Sequence, residues 1–223
     1  MPRLNDRPLR ALLVDLDGTL TDPFDGITRS LRHAMQALDR PLPEAEDLSW
    51  AIGPPLLENM RRLMPEADEA TLWAGVAAYR ERYGRIGKLE NAVYAGIPEA
   101  LDALRAAGLA LHLATSKLEP HARDILEHFG LAPRFASVHG SKPDGSHAVK
   151  AELIAHILEA EGLDAGAVAM LGDRKHDVIG AGRHGIPTIG VAWGYGGPAE
   201  LAEAGAALIV DDPAALVAAL VAP

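Results

Sequence analysis

Two short acidic segments stand out in the 223-residue chain: Asp15-Leu16-Asp17-Gly18-Thr19 and Gly172-Asp173-Arg174-Lys175-His176-Asp177. Carboxylates two residues apart can clamp a hard cation, or divide the roles of nucleophile and acid/base between them. Asp173 and Asp177, four apart, share a face if a helix begins near Arg174. Taken singly, each segment also reads as an acidic turn or helix cap. A calcium loop of the EF-hand type is excluded, because its sixth and twelfth positions would be Leu20 and Gly26 instead of glycine and an acid. Asp15, Asp17 and Asp173 together would offer the oxygen ligands that suit Mg²⁺. Thr115 and Ser116 supply hydroxyls that could hold a phosphoryl group between a strand and a helix, and Lys150 supplies a cation at a helix start. Lys142, followed by Pro143, competes with Lys150 for that role.

The elements that must position these residues are legible in the apolar pattern. Leu9–Val14 runs into Asp15, and Leu109–Ala114 into Thr115-Ser116-Lys117. Ala167–Leu171 runs into Gly172-Asp173, and Pro187–Ala192 into Trp193-Gly194-Tyr195-Gly196. Short runs without alternation predict strands buried on both faces, as in a parallel sheet. Phe135–Val138 and Ala207–Val210 are weaker candidates. Helical spacing with proline or glycine boundaries predicts helices over Pro98–Ala107, Pro120–Phe129 and Lys150–Glu161. The alternation implies an α/β, doubly wound, Rossmann-like parallel sheet. In such a sheet ligands bind outside the carboxyl ends of the strands, where Asp15, Thr115 and Asp173 would converge. The stretch from Thr21 to about Asn91 differs. It has no convincing strand, helical patterns over Ile27–Leu38, Leu56–Leu63 and Ala70–Tyr83, and breaks at Pro41, Pro43, Gly53-Pro54-Pro55 and Pro65. It reads as a helical insertion, residues 21–91, in a core formed by residues 1–20 and 92–223.

Composition narrows the function class. Hydrophobic residues are 48% and charged residues 23% of the chain, ordinary for a globular protein. A formal net charge of -10 argues against nucleic acid as a partner. No apolar run approaches the roughly 20 residues of a membrane span, so no membrane partner is expected. Cysteine is absent, which excludes disulfides and thiolate metal sites, and the first residues lack a signal-peptide pattern. A cytoplasmic protein acting on a small phosphorylated metabolite is the expectation, with the oligomeric state, monomer or homodimer, left open. His112, mid-strand, reads as a core or supporting residue.

In the order of these motifs the chain resembles the haloacid dehalogenase superfamily, and within it the phosphoglycolate-phosphatase-like branch. The similarity rests on Asp15-Leu16-Asp17-Gly18-Thr19-Leu20, Thr115-Ser116-Lys117, Lys150 and Gly172-Asp173-Arg174-Lys175-His176-Asp177, with Gly190–Gly196 and Ile209-Val210-Asp211 also alike. The resemblance implies a Mg²⁺-dependent phosphatase in which Asp15 is the nucleophile and becomes an aspartyl phosphate, while Asp17 is the acid/base. It implies metal ligation by Asp15, the Asp17 backbone carbonyl and Asp173, with Asp177 near the metal waters or bonded to Lys150. Thr115, Ser116 and Lys150 would bind the phosphoryl oxygens. Asp17 separates this chain from dehalogenases and phosphonate hydrolases, and Ile27 stands where β-phosphoglucomutases keep a cap histidine. The insertion would be a mobile cap, with Gly53-Pro54-Pro55-Leu56 as its substrate-facing loop. Arg61, Arg62, Arg80, Arg82 and Arg85 read as solvated positions on helix faces. Phosphoglycolate is the family-level substrate expectation, with 5′-nucleotides and sugar phosphates as alternatives.

Overall fold

Each apolar run is short, rich in Leu, Val or Ile, and closed by Gly, Pro or polar residues, so the chain has little choice but to extend there. The computed structural model describes residues 2–4 and 7–221. Its main strands are β1 (Ala11–Val14), β2 (Ala110–Leu118), β3 (Ser137–Ser141), β4 (Val168–Gly172), β5 (Thr188–Val191) and β6 (Leu208–Val210). All pair in parallel, in the order β6-β5-β4-β1-β2-β3. The order reverses between β1 and β4, and that is the crevice in which doubly wound sheets take ligands.

Helices α1 (Phe24–Ala37), α2 (Leu56–Leu63) and α3 (Glu69–Arg85) come first in the chain. After them come α4 (Ile97–Ala106), α5 (Glu119–His128), α6 (Lys150–Ala160), α7 (Lys175–Gly182), α8 (Gly197–Ala204) and α9 (Pro213–Val221). The two-residue period of a strand sends neighbouring side chains to opposite faces. Leu12 and Val14 join Leu101, Leu104, Ile125, Leu126 and Leu216 on one side. Ala11 and Leu13 join Leu153, Ile154, Ile157 and Ala181 on the other. Leu12, Leu13 and Val14 are wholly buried, and burial of such side chains contributes about 1.5–3 kcal/mol each. The strand that ends in Asp15 is therefore held from both sides.

Residues between Ile27 and Tyr83 form a separate apolar cluster, with Leu31, Ile52, Met60, Leu72, Val76 and Tyr79 at its centre. The reading of this stretch as free of strands needs one correction. Thr21–Asp22 is extended and pairs antiparallel with Ala92–Val93. Two residues carry no periodicity, and their partner lies 70 residues away, so only the folded chain reveals the ribbon. It closes the base of the helical segment.

A second correction concerns Thr115 and Ser116. They do not follow their strand but lie inside it, where the register with β3 slips between Ala114 and Leu118. Such a bulge bends a strand and re-aims its side chains.

Candidate active site at the ends of β1, β2 and β4

The Asp15 N–H donates to the Leu171 carbonyl at 2.9 Å, so the β1–β4 ladder runs one residue beyond the strand. Its carboxylate is thereby fixed at the crevice. Asp173, Asp177 and Lys150 reach the same point from β4, α7 and α6. The Lys150 ammonium lies 3.0 Å from Asp15 Oδ1 and 2.7 Å from Asp177 Oδ1, and it donates to the Ala114 carbonyl at 2.9 Å. Lys150 is 5% exposed, so this cation is nearly dry. Burial alone would lower its pKa; the carboxylates of Asp15 and Asp177 outweigh that and hold the ammonium above its ordinary value. Lys142 is elsewhere, paired with Glu119 at 2.7 Å.

Asp15, Asp173 and Asp177 each present a carboxylate oxygen within 4.8 Å of the others, and among the described residues this is the one such cluster. Asp173 Oδ2 accepts the Tyr195 N–H at 2.8 Å, while Asp173 Oδ1 is buried without a hydrogen-bond partner. Burial pushes the Asp173 carboxyl well above the usual range, and the charges of Asp177 and Asp15 push it further. Asp15 is raised by burial too, opposed by Lys150 and reinforced by Asp177. Three dry carboxylates at one point, only two of them paired with the Lys150 ammonium and Asp173 Oδ1 left unsatisfied, fit a divalent cation bound by hard oxygen donors. Gly18 is required beside them: its φ is +79°, and a Cβ there would lie 2.2 Å from Asp173 Oδ2.

The Asp17 carboxylate is not part of that cluster. Its Oδ2 is 2.8 Å from Lys117, whose side chain is 6% exposed. Burial raises the Asp17 pKa and Lys117 opposes the rise. Thr115 is buried and Ser116 half-buried, both lining the cleft above Asp15. His112 is in the core, with Nδ1 2.7 Å from Ser137 Oγ.

That cleft, about 230 Å³, lies between the strand ends and the helical segment. Gly53, Pro54, Pro55 and Leu56 form part of its wall, as the proline-rich loop suggested. An aromatic wall, absent from the sequence reading, faces them. Trp73, Tyr79 and Tyr83 of α3 line it with His121 of α5; Tyr79 and Tyr83 stack at 5.2 Å between centroids. Lys117 sits 4.6 Å from the Tyr83 ring centroid and bonds its hydroxyl, joining the helical segment to Asp17. The signal was present: Trp73, Val76, Tyr79 and Tyr83 recur at helical spacing on one face. Arg80 lines the same wall, its guanidinium donating to the Pro143 carbonyl at 3.0 Å.

The haloacid dehalogenase-like hydrolase family matches residues 12–191, which takes in every residue of this site. The chain belongs to that family. Within the family it is 46% identical to a 5′-nucleotidase of Pseudomonas aeruginosa over 190 residues, 85% of this chain and 86% of that one. It is 43% identical to the tyrosine-protein kinase PtkA of Mycobacterium tuberculosis over 83% of this chain, but spans only 62% of PtkA. A phosphoglycolate phosphatase of Agrobacterium fabrum is 32% identical over 97% of this chain and 95% of its own. Among solved structures, a predicted phosphatase from Clostridium acetobutylicum superposes with a TM-score of 0.90 at 37% identity, covering 94% of this chain and 97% of that one. This haloacid dehalogenase-like hydrolase is a phosphatase of the phosphoglycolate-phosphatase-like branch.

Proposed function

We propose that the protein is a Mg²⁺-dependent phosphomonoester hydrolase that works through an aspartyl phosphate on Asp15, with 5′-nucleotides as its substrate class. The observation that carries the substrate reading is the aromatic wall. Trp73, Tyr79, Tyr83 and His121 suit a planar, partly apolar leaving group. A two-carbon acid would instead call for a free cation. Of the Lys and Arg side chains at the cleft, Lys117 is committed to Asp17, Arg61 is paired with Glu69, and Arg80 is held outward by the Pro143 carbonyl. Similarity to the Pseudomonas 5′-nucleotidase supports the same choice. The expected result is a kcat/KM for 5′-mononucleotides at least about tenfold above that for phosphoglycolate, a difference of about 1.4 kcal/mol in transition-state binding. A panel in which phosphoglycolate is the better substrate would reverse the assignment.

In the first half-reaction an Asp15 oxygen attacks phosphorus, the bond from phosphorus to the leaving oxygen breaks, and Asp17 gives that oxygen its proton. Asp17, now a carboxylate, then takes a proton from the water that cleaves the aspartyl phosphate. Lys150 orients Asp15 and, with Thr115 and Ser116, holds the phosphoryl oxygens. Asp15, the Asp17 backbone carbonyl and Asp173, with Asp177 in support, would hold Mg²⁺, which supplies charge neutralisation when bound. Residues 21–91 act as a cap that excludes water.

The acidic cluster carries its own test. A carboxyl with a folded-state pKa above its unfolded value favours folding below the unfolded pKa, and that advantage disappears as pH rises. Chelator-treated protein should therefore lose stability as pH rises above about 4, and Mg²⁺ should restore it by mass action. Asp173→Asn removes one of the repelling charges while keeping an acceptor for the Tyr195 N–H. It should raise the melting temperature of the chelator-treated protein, by roughly 1–3 kcal/mol in stability, and abolish the Mg²⁺-induced shift. A full Mg²⁺ shift in this variant would remove Asp173 from the ligand set.

A further inference from the structure

Arg174 comes directly after Asp173 in the chain and takes no part in the phosphoryl-transfer steps, yet it is only 8% exposed. Its backbone N–H donates to Asp177 Oδ2 at 3.1 Å. Its Nε donates to Glu200 Oε1 at 2.9 Å. Its Nη1 crosses to the carbonyl of Ile52, 122 residues away in the helical segment. Ile52 is not a loose acceptor. Its side chain is wholly buried in that segment's own apolar cluster, and the neighbouring Ala51 carbonyl accepts from Asn59 of α2 at 2.7 Å. Next to Ile52, Gly53 has φ +101°, and a Cβ there would lie 2.7 Å from Arg174 Cγ. Gly53 therefore lets the loop settle onto the arginine stem. One side chain thus ties the wall of the cleft to the backbone that presents two of the three clustered acids.

We propose that Arg174 is a positioning residue, a latch that holds residues 49–55 closed over the site and registers that closure at Asp173 and Asp177. The chemistry suits the role. A guanidinium offers several donors in a rigid fork, so it can stay paired with Glu200 while one arm reaches across. Its bond to a neutral carbonyl is charge-assisted in a nearly dry setting. It is also lost without leaving an uncompensated charge, because Glu200 remains and water reaches the freed arm. That is what a reversible closure needs.

The test is hydrogen exchange on the whole protein, compared with Arg174→Ala, Arg174→Lys and Glu200→Gln. A charge-assisted hydrogen bond is worth about tenfold or more in an equilibrium. Amides of residues 49–53 should exchange about tenfold faster in Arg174→Ala, while those of 11–14 and 168–171 keep their protection. Lysine, lacking the fork, should rescue less than half of the effect on a logarithmic scale. If Arg174→Ala does not fold, Glu200→Gln carries the test, with faster exchange again confined to 49–53. Unchanged exchange there, or a rise shared with the central strands, would overturn the latch.

The kinetic arm rests on the phosphatase reading. Acetyl phosphate has nothing to place against Trp73 and Tyr79, so its closure depends on the latch more than that of AMP. Arg174→Ala should lower kcat/KM for acetyl phosphate several-fold more than for AMP. Equal losses would mean that Arg174 acts only at Asp173, against the proposal. Absence of turnover with either compound in the unmodified protein would defeat the phosphatase assignment and leave the exchange result to decide the latch.

Discussion

Asp15→Asn should reduce phosphate release from p-nitrophenyl phosphate by about four orders of magnitude or more, the scale seen when a nucleophile is removed. Asparagine has nearly the same shape, so the fold should survive and the loss should be chemical. The amide cannot form the bond to phosphorus, and acid-quenched protein should carry no phosphate. Asp17→Asn gives a different signature. An aryl leaving group departs with little help, whereas an alkoxide needs a proton as the bond breaks. The loss in Asp17→Asn should therefore be much larger for an alkyl phosphate than for the aryl one. Equal losses for both esters would remove Asp17 from the acid role, and turnover at the unmodified rate in Asp15→Asn would end the aspartyl-phosphate mechanism.

Lys150→Ala should be the most damaging single change to stability. The ammonium stands 3.0 Å from Asp15 and 2.7 Å from Asp177, and its side chain is 4% exposed. Removing one member of a buried ion pair leaves uncompensated charge, which costs about 3–5 kcal/mol. Here two carboxylates lose their partner at once. The pH dependence has a definite sign. Without the ammonium nothing opposes the upward push of burial on the Asp15 carboxyl, so the deficit should be greatest near pH 7. It should shrink as pH falls and Asp15 takes up its proton. Lys142→Ala is the control. Its ammonium is in a half-exposed pair with Glu119, and such pairs are worth about 0–1 kcal/mol. Denaturant unfolding of both variants at two pH values decides the matter. Similar stabilities for the two would show that Lys150 is not the counter-charge of the cluster.

The sequence by itself determined the sheet and most of the chemistry at its edge. Leu9–Val14 and Ala167–Leu171 are apolar without alternation, so they had to be strands covered on both faces. The polar residues just past each run then had to lie at a carboxyl end. That alone brings Asp15 and Asp173 together, because parallel strands end on one side. Local rules also placed Lys150 at a helix start and bounded Leu56–Leu63 correctly between a proline and the break before Pro65. Side-chain direction and long-range partners were beyond reach. Asp15 and Asp17 look equivalent in the sequence, yet one faces Lys150 and the other Lys117. The bulge that carries Thr115 is a mismatch between two strands, and no single strand contains it. The Thr21–Asp22 ribbon, the Arg174 bond to Ile52 and the contact of Tyr83 with Lys117 join segments far apart in the chain. Local propensity acts over a few residues, whereas these contacts form only after the apolar clusters have set where each segment lies.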